Sequence, residues 1–223
     1  GRITLTYLKV MAAISIAGQA ALSVWVDQRI GPAVYSWLLM FGWTCLMGKE
    51  FFCGEWLEKR LTLYAVSHML VTPLSIWWMA NLAHPGIALS PELITMMVLS
   101  FISGFAFEIT RKTRGPEEER PTVDSYSKIF GTRGSALVVT GLVSLMLWAQ
   151  CWLVNLINPG NIGVAYAVLF VSWLLSMFSI TNFIRNPSLK GRENNEKVVA
   201  LSMLIGYCVI IGSGLAMHGL TLS

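Results

Sequence analysis

EITRKTRGPEEERPTVDSYSKIFG, residues 108–131, places ten charged side chains between two stretches that are almost wholly apolar. Arg111, Lys112 and Arg114 come first, and three consecutive carboxylates, Glu117, Glu118 and Glu119, follow. Charges at this density must be hydrated or paired, because an isolated buried charge is very costly. The plain reading is a solvated loop. The order of the charges, cations directly off an apolar helix end and carboxylates next, also suits a site that holds a metal ion and a phosphate together.

Over its whole length the 223-residue chain is 55% hydrophobic and 13% charged, with a mean hydropathy of +0.61. Soluble domains carry about 25% charged residues. The composition therefore predicts an all-α polytopic membrane protein in a single transmembrane domain, residues 1–223. The net charge of +4 lies in short loops, so no nucleic-acid partner is expected. Cys45, Cys53, Cys151 and Cys208 sit in or beside apolar segments without CxxC spacing, and read as small hydrophobes.

A bilayer core of about 30 Å takes about 20 apolar residues per helix. Seven stretches qualify: 3–26, 32–48, 61–83, 90–107, 134–157, 162–184 and 197–218. Gly31-Pro32, His84-Pro85-Gly86 and Asn158-Pro159-Gly160-Asn161 are tight turns between them. Ser90-Pro91-Glu92 reads as a helix cap, a first-turn proline and a carboxylate at the positive helix end, and Asn194-Asn195-Glu196 as a similar start for the last helix.

The other connections, 49–60, 108–133 and 185–196, are longer and charged. Alternate loops of a helical bundle share a side, so these three fall together. Of 16 basic residues, 14 lie on that side, Arg29 lies opposite, and Lys9 sits inside the first helix. The excess of Lys and Arg predicts that the amino terminus and all three charged loops are cytoplasmic and the carboxyl terminus is outside. Ten of the twelve acidic residues crowd the same face. Acids do not set topology, so their position points to a chemical role there.

Within the apolar stretches, Gln19, His68, Asn81, Gln150, Asn155, Asn182 and His218 are expected to face the bundle interior. His68 faces either a cavity or a neighbouring carbonyl, the carbonyl being the simpler expectation. Ala13, Ala17, Ala20 and Ala21 in the first helix, and Ser202, Gly206, Gly212 and Gly214 in the last, are small enough for close helix packing. No helix is visibly broken at the midplane, which argues against a transporter.

Two charged loops invite chemistry. In residues 49–60, a helical turn would put Glu55 and Glu58 on one face, with Glu55 four residues before Lys59; the alternative is an interfacial segment that seats Phe51, Phe52 and Trp56 among headgroups. In residues 108–131, the three carboxylates Glu117, Glu118 and Glu119 suit magnesium, which binds substrate phosphates as well. Arg111, Lys112 and Arg114 suit the phosphates themselves. Together they predict a diphosphate-bearing lipid substrate.

Several segments resemble the UbiA-type intramembrane prenyltransferase superfamily, in its bacterial branch: Lys49-Glu50-Phe51-Phe52, Gly54-Glu55-Trp56-Leu57, Tyr64-Ala65-Val66-Ser67-His68-Met69-Leu70, Glu108-Ile109-Thr110-Arg111-Lys112, Pro116-Glu117-Glu118-Glu119 and Val123-Asp124-Ser125-Tyr126-Ser127-Lys128. The resemblance covers nearly the whole chain. It implies part of a nine-helix bundle that transfers a prenyl group from a diphosphate to an acceptor, using magnesium held by two acidic motifs. On the second motif, Ser125 matches the hydroxyl position and Glu117 with Glu118 the later aspartates. The early aspartate falls near Arg111 or Arg114, with Glu108 close by. The resemblance thus gives Glu117, Glu118 and Glu108 for magnesium, Arg111, Lys112, Arg114 and Lys128 for diphosphate, and Glu50, Glu55, His68, Asp124 and Ser125 as further candidates.

The first motif of that superfamily, Asn-Asp-x-x-Asp, has no counterpart here, and Gly1-Arg2-Ile3-Thr4-Leu5 resembles the start of family helix three. Two expectations follow. The sequence is a portion of a nine-helix prenyltransferase, or it is a shortened, non-catalytic relative that binds lipids or pigments as a subunit of a larger membrane complex.

Overall fold

The computed structural model describes residues 4–160 and 162–218, which contain nine α-helices and no strand. Helix α1 spans Leu5–Asp27 and starts on Thr4, whose hydroxyl accepts the Tyr7 N–H at 3.2 Å; residue 3, where the sequence places the first span's start, lies outside the described residues. Helix α2, Pro32–Gly48, begins on a first-turn proline. The Asp27 carboxylate closes the turn between them by accepting the N–H groups of Ala33 and Val34 at 3.2 and 2.9 Å.

The stretch 61–83 is not one helix. It divides into α4, Leu61–Met69, and α5, Val71–Ala83, after a short α3 at Gly54–Glu58. Pro73 is the physical cause. It has no N–H for the Met69 carbonyl one turn back, and the Thr72 hydroxyl donates to that carbonyl instead, at 2.9 Å. The expectation of unbroken helices is corrected here.

Helix α6, Pro91–Arg111, is capped by Ser90 as expected, with the Leu93 N–H on its hydroxyl at 3.3 Å. Helix α7, Tyr126–Ile157, begins well before residue 134 because Ser125 caps it, and it bends at Gly131, whose φ of 70° suits glycine. Helix α8 is Gly163–Arg185 and α9 is Leu189–His218. Asn194, Asn195 and Glu196 do not start α9; they lie inside it. Glu196 pairs with Arg192 one turn back, and Asn195 Oδ1 accepts the Ser179 hydroxyl of α8 at 2.6 Å.

Five helices, α1, α6, α7, α8 and α9, are long and apolar enough to cross a membrane. Of the seven stretches expected, the remaining two are the 17-residue α2 and the broken α4–α5 pair.

Helices α6 to α9 enclose the main core, which includes Leu99 and Ile109 of α6, Val143 and Leu153 of α7, Leu169 and Phe183 of α8, and Val199 of α9. Ser202, Gly206 and Gly214 of α9 pack as expected, whereas Gly212 is exposed with nothing within 4 Å of an added Cβ. Gly206 lies directly beneath the Gln150 side chain of α7, and Ser202 Oγ is 2.8 Å from Ser176 Oγ of α8. Those of α1 do not: Ala13, Ala17 and Ala21 are exposed, and α1 packs mainly on α2. Indole groups hold the α1 region in place. Trp37 Nε1 donates to Gln19 Oε1 at 3.3 Å, and Trp78 Nε1 donates to Ser23 Oγ at 3.0 Å.

The three charged connections meet at one end of the bundle. Arg192 Nε donates to Glu118 Oε1 at 2.7 Å. Gly115 lies so close to the 187–188 peptide that an added Cβ would be 3.3 Å from it. Tyr126 Oη donates to the Leu61 carbonyl at 3.4 Å, which brings the end of the 49–60 connection to the same place.

Candidate functional site

The chain leaves α6 at Lys112 and returns as α7 at Tyr126, and the base of this excursion is tightly held. The Tyr126 N–H donates to the Lys112 carbonyl at 3.0 Å, the Arg114 N–H donates to Ser127 Oγ at 2.5 Å, and the Thr113 hydroxyl donates to the Ile109 carbonyl at 2.8 Å. Tyr126 is fully buried and plugs the bundle beneath. The polar residues of 111–124 are therefore displayed on a fixed base.

They surround a cavity of about 680 Å³. Its charged lining is Arg111, Lys112, Arg114, Arg120 and Arg192 against Glu117, Glu118 and Asp124. Arg111, Lys112 and Arg192 are held by carboxylates of the same end of the bundle, whereas Arg114 and Arg120 are in no ion pair with a described residue and suit an anion. Pockets for small ligands commonly have volumes of about 300–1,000 Å³.

Not every carboxylate is available to a ligand. Glu108 accepts from Arg111 Nη2 and from Lys112 Nζ, both at 2.8 Å, and its side chain is only 15% exposed. It holds the two cations at the rim. Glu118 is committed to Arg192 and also accepts the Gly115 N–H at 3.3 Å. Glu119, the third of the consecutive carboxylates, accepts the Ser125 hydroxyl at 2.8 Å on both oxygens. Among the described residues, no group of three His, Cys, Asp or Glu side chains is placed to hold a metal ion. Glu117, Glu118 and Glu108 are thus not brought together. Glu117 and Asp124 line the cavity, and neither is in an ion pair with a described residue.

Three of the four cations expected at a diphosphate, Arg111, Lys112 and Arg114, share the cavity. The fourth does not line it. Lys128 Nζ donates to the carbonyls of Arg120, Val123 and Pro121 at 2.6, 2.7 and 3.3 Å, and so ties down its own loop. Ser125 is occupied as a helix cap, accepting the Lys128 N–H at 3.2 Å.

Glu50, Glu55 and His68 do not line the cavity. Glu50, Phe51 and Phe52 have φ of 48°, 53° and 57°, three successive left-handed residues that are not glycine. Such a turn costs about 1–2 kcal/mol per residue. Part of what holds it is an aromatic cluster: Phe51 lies edge-on to Trp43 and His68 at centroid distances of 5.2 and 5.9 Å, and His68 stacks on Tyr64 at 4.1 Å. His68 Nδ1 is 2.9 Å from the Tyr64 carbonyl, the geometry of a histidine donating to its own helix. Glu55 lines a separate shallow recess with Lys59 and Arg60 and makes no ion pair with Lys59. Arg60 instead sits over the Trp56 ring, 4.2 Å from its centroid.

Arg192 and Arg120 are the site residues that sequence reasoning missed. The signal for Arg192 was local: its spacing of four to Glu196 makes a helical pair, and so extends α9 back towards the cavity.

Comparison with protein-family models, with curated proteins and with solved structures finds no match for this chain.

Proposed function

We propose that this chain is a UbiA-type membrane protein that binds the diphosphate of a prenyl or polyprenyl donor in the cavity between the end of α6, the α6–α7 connection and the start of α9, and transfers the prenyl group to an acceptor. The observation that carries the reading is the convergence of five cations on that cavity, Arg114 and Arg120 in no ion pair with a described residue, at the end of the apolar helices α6 and α9. In this reading α2 and the α4–α5 pair also cross the bilayer, giving seven spans. The charged end is cytoplasmic in this reading, which the Lys and Arg bias supports, and the membrane is a bacterial inner membrane.

The side chains supply electrostatics. Arg111 and Arg114 have the planar fork that matches phosphate oxygens, and Lys112 adds a point charge. Glu108 fixes the positions of Arg111 and Lys112, and Glu118 fixes that of Arg192. When the prenyl carbon–oxygen bond breaks, its electron pair leaves with the diphosphate. Preformed cations stabilise that charge without reorganising. The allylic carbon then bonds to the acceptor, which gives up a proton. Magnesium fits this site as an ion bound together with the donor: Glu117 and Asp124 would hold it, since one or two carboxylates plus substrate phosphates suffice. It would supply further positive charge to the leaving group.

The test is binding and turnover by purified protein, with farnesyl diphosphate and farnesyl phosphate compared. The diphosphate should bind more tightly, and Arg111→Gln with Arg114→Gln should remove that preference. Equal binding of both ligands by the parent would sink the reading.

A second reading is a non-catalytic subunit that binds such lipids, or pigments, within a larger membrane complex. Its support is the commitment of Glu108 and Glu118 to ion pairs, which leaves few carboxylates for catalysis. Diphosphate-selective binding without turnover, with stoichiometric co-purification of another membrane protein, would favour it.

A further inference from the structure

A second cavity, of about 670 Å³, opens on the other flank of the α8–α9 pair and has a different character. Its charged lining consists of Arg185, Lys190 and Lys197, with no carboxylate. All three cations are exposed, and none is in an ion pair with a described residue. The neighbouring acid Glu196 is turned to Arg192 instead. Asn182, Asn186 and Asn194 add uncharged donors at the same level.

The cavity changes polarity along the helices. On α8, Arg185 lies ten residues from Leu175, and on α9, Lys190 lies eleven from Leu201; at 1.5 Å per residue either separation is about 15 Å. Leu175, Phe178 and Leu201 are large, exposed and apolar, and they form its inner wall together with Val198. Phe183, 1% exposed, makes its floor. Gly191 lets α9 come close to α8 there, since an added Cβ would lie 3.0 Å from Phe183 Cδ2. Cations at the membrane edge and an apolar wall running inward are the two halves of an anionic amphiphile's complement.

We propose that this α8–α9 groove is a site for an anionic phospholipid, its phosphate on Arg185, Lys190 and Lys197 and its acyl chains along Leu175, Phe178 and Leu201. The site is separate from the diphosphate cavity and does not rest on the prenyl-transfer reading. A lipid is favoured over free phosphate because the apolar wall is continuous with the cationic end. Free phosphate would leave that wall unused.

The experiment is native mass spectrometry of the purified full chain with phosphatidylglycerol and phosphatidylcholine supplied in equal amounts. Each cation near a surface contributes on the order of 1 kcal/mol, so the parent should retain phosphatidylglycerol over phosphatidylcholine by about tenfold or more. The triple variant Arg185→Gln, Lys190→Gln, Lys197→Gln should bring the two within about twofold. Lys49→Gln, Lys59→Gln, Arg60→Gln removes the same charge from the same end of the bundle and should leave the preference in place. If the first triple variant does not fold by circular dichroism, Lys197→Gln alone, nearest the apolar wall, should lower the preference by at least about twofold. The proposal is overturned if the parent shows no preference, if both triple variants lose it equally, if Lys197→Gln leaves it unchanged in that case, or if excess inorganic phosphate displaces the phosphatidylglycerol.

Discussion

Arg192 donates through Nε to Glu118 at 2.7 Å across 74 residues of sequence, and in the same position it pairs with Glu196 one helical turn on. One guanidinium thus fastens the connection between α6 and α7 to the first turns of α9. The two carboxylates are joined only through it.

Arg192→Gln should therefore destabilise the charged end. The side chains of Arg192 and Glu118 are 19% and 14% exposed, so the cost falls between a surface pair and a buried one, about 1–3 kcal/mol. A double-mutant cycle with Glu118→Gln should give a coupling of about 1 kcal/mol. Reversible unfolding in mixed micelles measures it. Additive effects of the two substitutions would show that the bridge contributes nothing.

Gly206→Ala should be costly out of proportion to one methyl group. The Gln150 side chain occupies the place the new Cβ would take. Overpacking of this kind costs about 1–3 kcal/mol. The same substitution in a Gln150→Ala background should cost less, since the side chain that clashes is gone. An equal cost in both backgrounds would place the strain elsewhere.

The serine contacts across α8 and α9 should be weak by comparison. Ser202 Oγ is 2.8 Å from Ser176 Oγ and donates to the Ser172 carbonyl at 3.1 Å. Hydrogen bonds between membrane helices average about 0.6 kcal/mol, so Ser202→Ala should cost roughly that. Ser202→Leu should cost several times more, because residue 202 is only 3% exposed. The ratio of the two, from the same unfolding assay, separates packing from hydrogen bonding.

Diphosphate affinity in the cavity should depend on magnesium through Glu117 and Asp124. A chelator, or Glu117→Gln with Asp124→Asn, should weaken farnesyl diphosphate binding by about tenfold, one lost charge-assisted contact. Lys128→Gln should change affinity little and thermal stability more, because its ammonium holds backbone carbonyls. A large loss of affinity in Lys128→Gln would return that lysine to the site.

Much of the fold is legible in the sequence because apolar length and turn chemistry act locally. Ser90-Pro91 starts α6 as its residue types require, and the tight turn at Gly31-Pro32 opens α2. The misplaced starts of α7 and α9 have a common cause. Ser125 caps α7 through a local hydroxyl and Arg192 pairs with Glu196, so charged residues that read as loop are carried on helix. At the site, the cations Arg111, Lys112 and Arg114 are legible because they are neighbours in sequence. The partnering is not. Glu118 meets Arg192, and Lys128 turns back on its own loop, only after two distant connections have come together.

The discontinuity at Leu70 bears on how the protein is made. Helices α4 and α5 have 9 and 13 residues, about 14 and 20 Å at 1.5 Å per residue, so neither crosses a bilayer core of about 30 Å alone. Residues 61–83 leave the ribosome as one apolar run, and as one run they can be accepted by the insertion machinery. Of their partners, α2, which packs on α5, is synthesised before them, and α6, which packs on both halves, afterwards. The break is set locally by Pro73, so it belongs to the run itself, and α6 is the later segment that covers both of its halves.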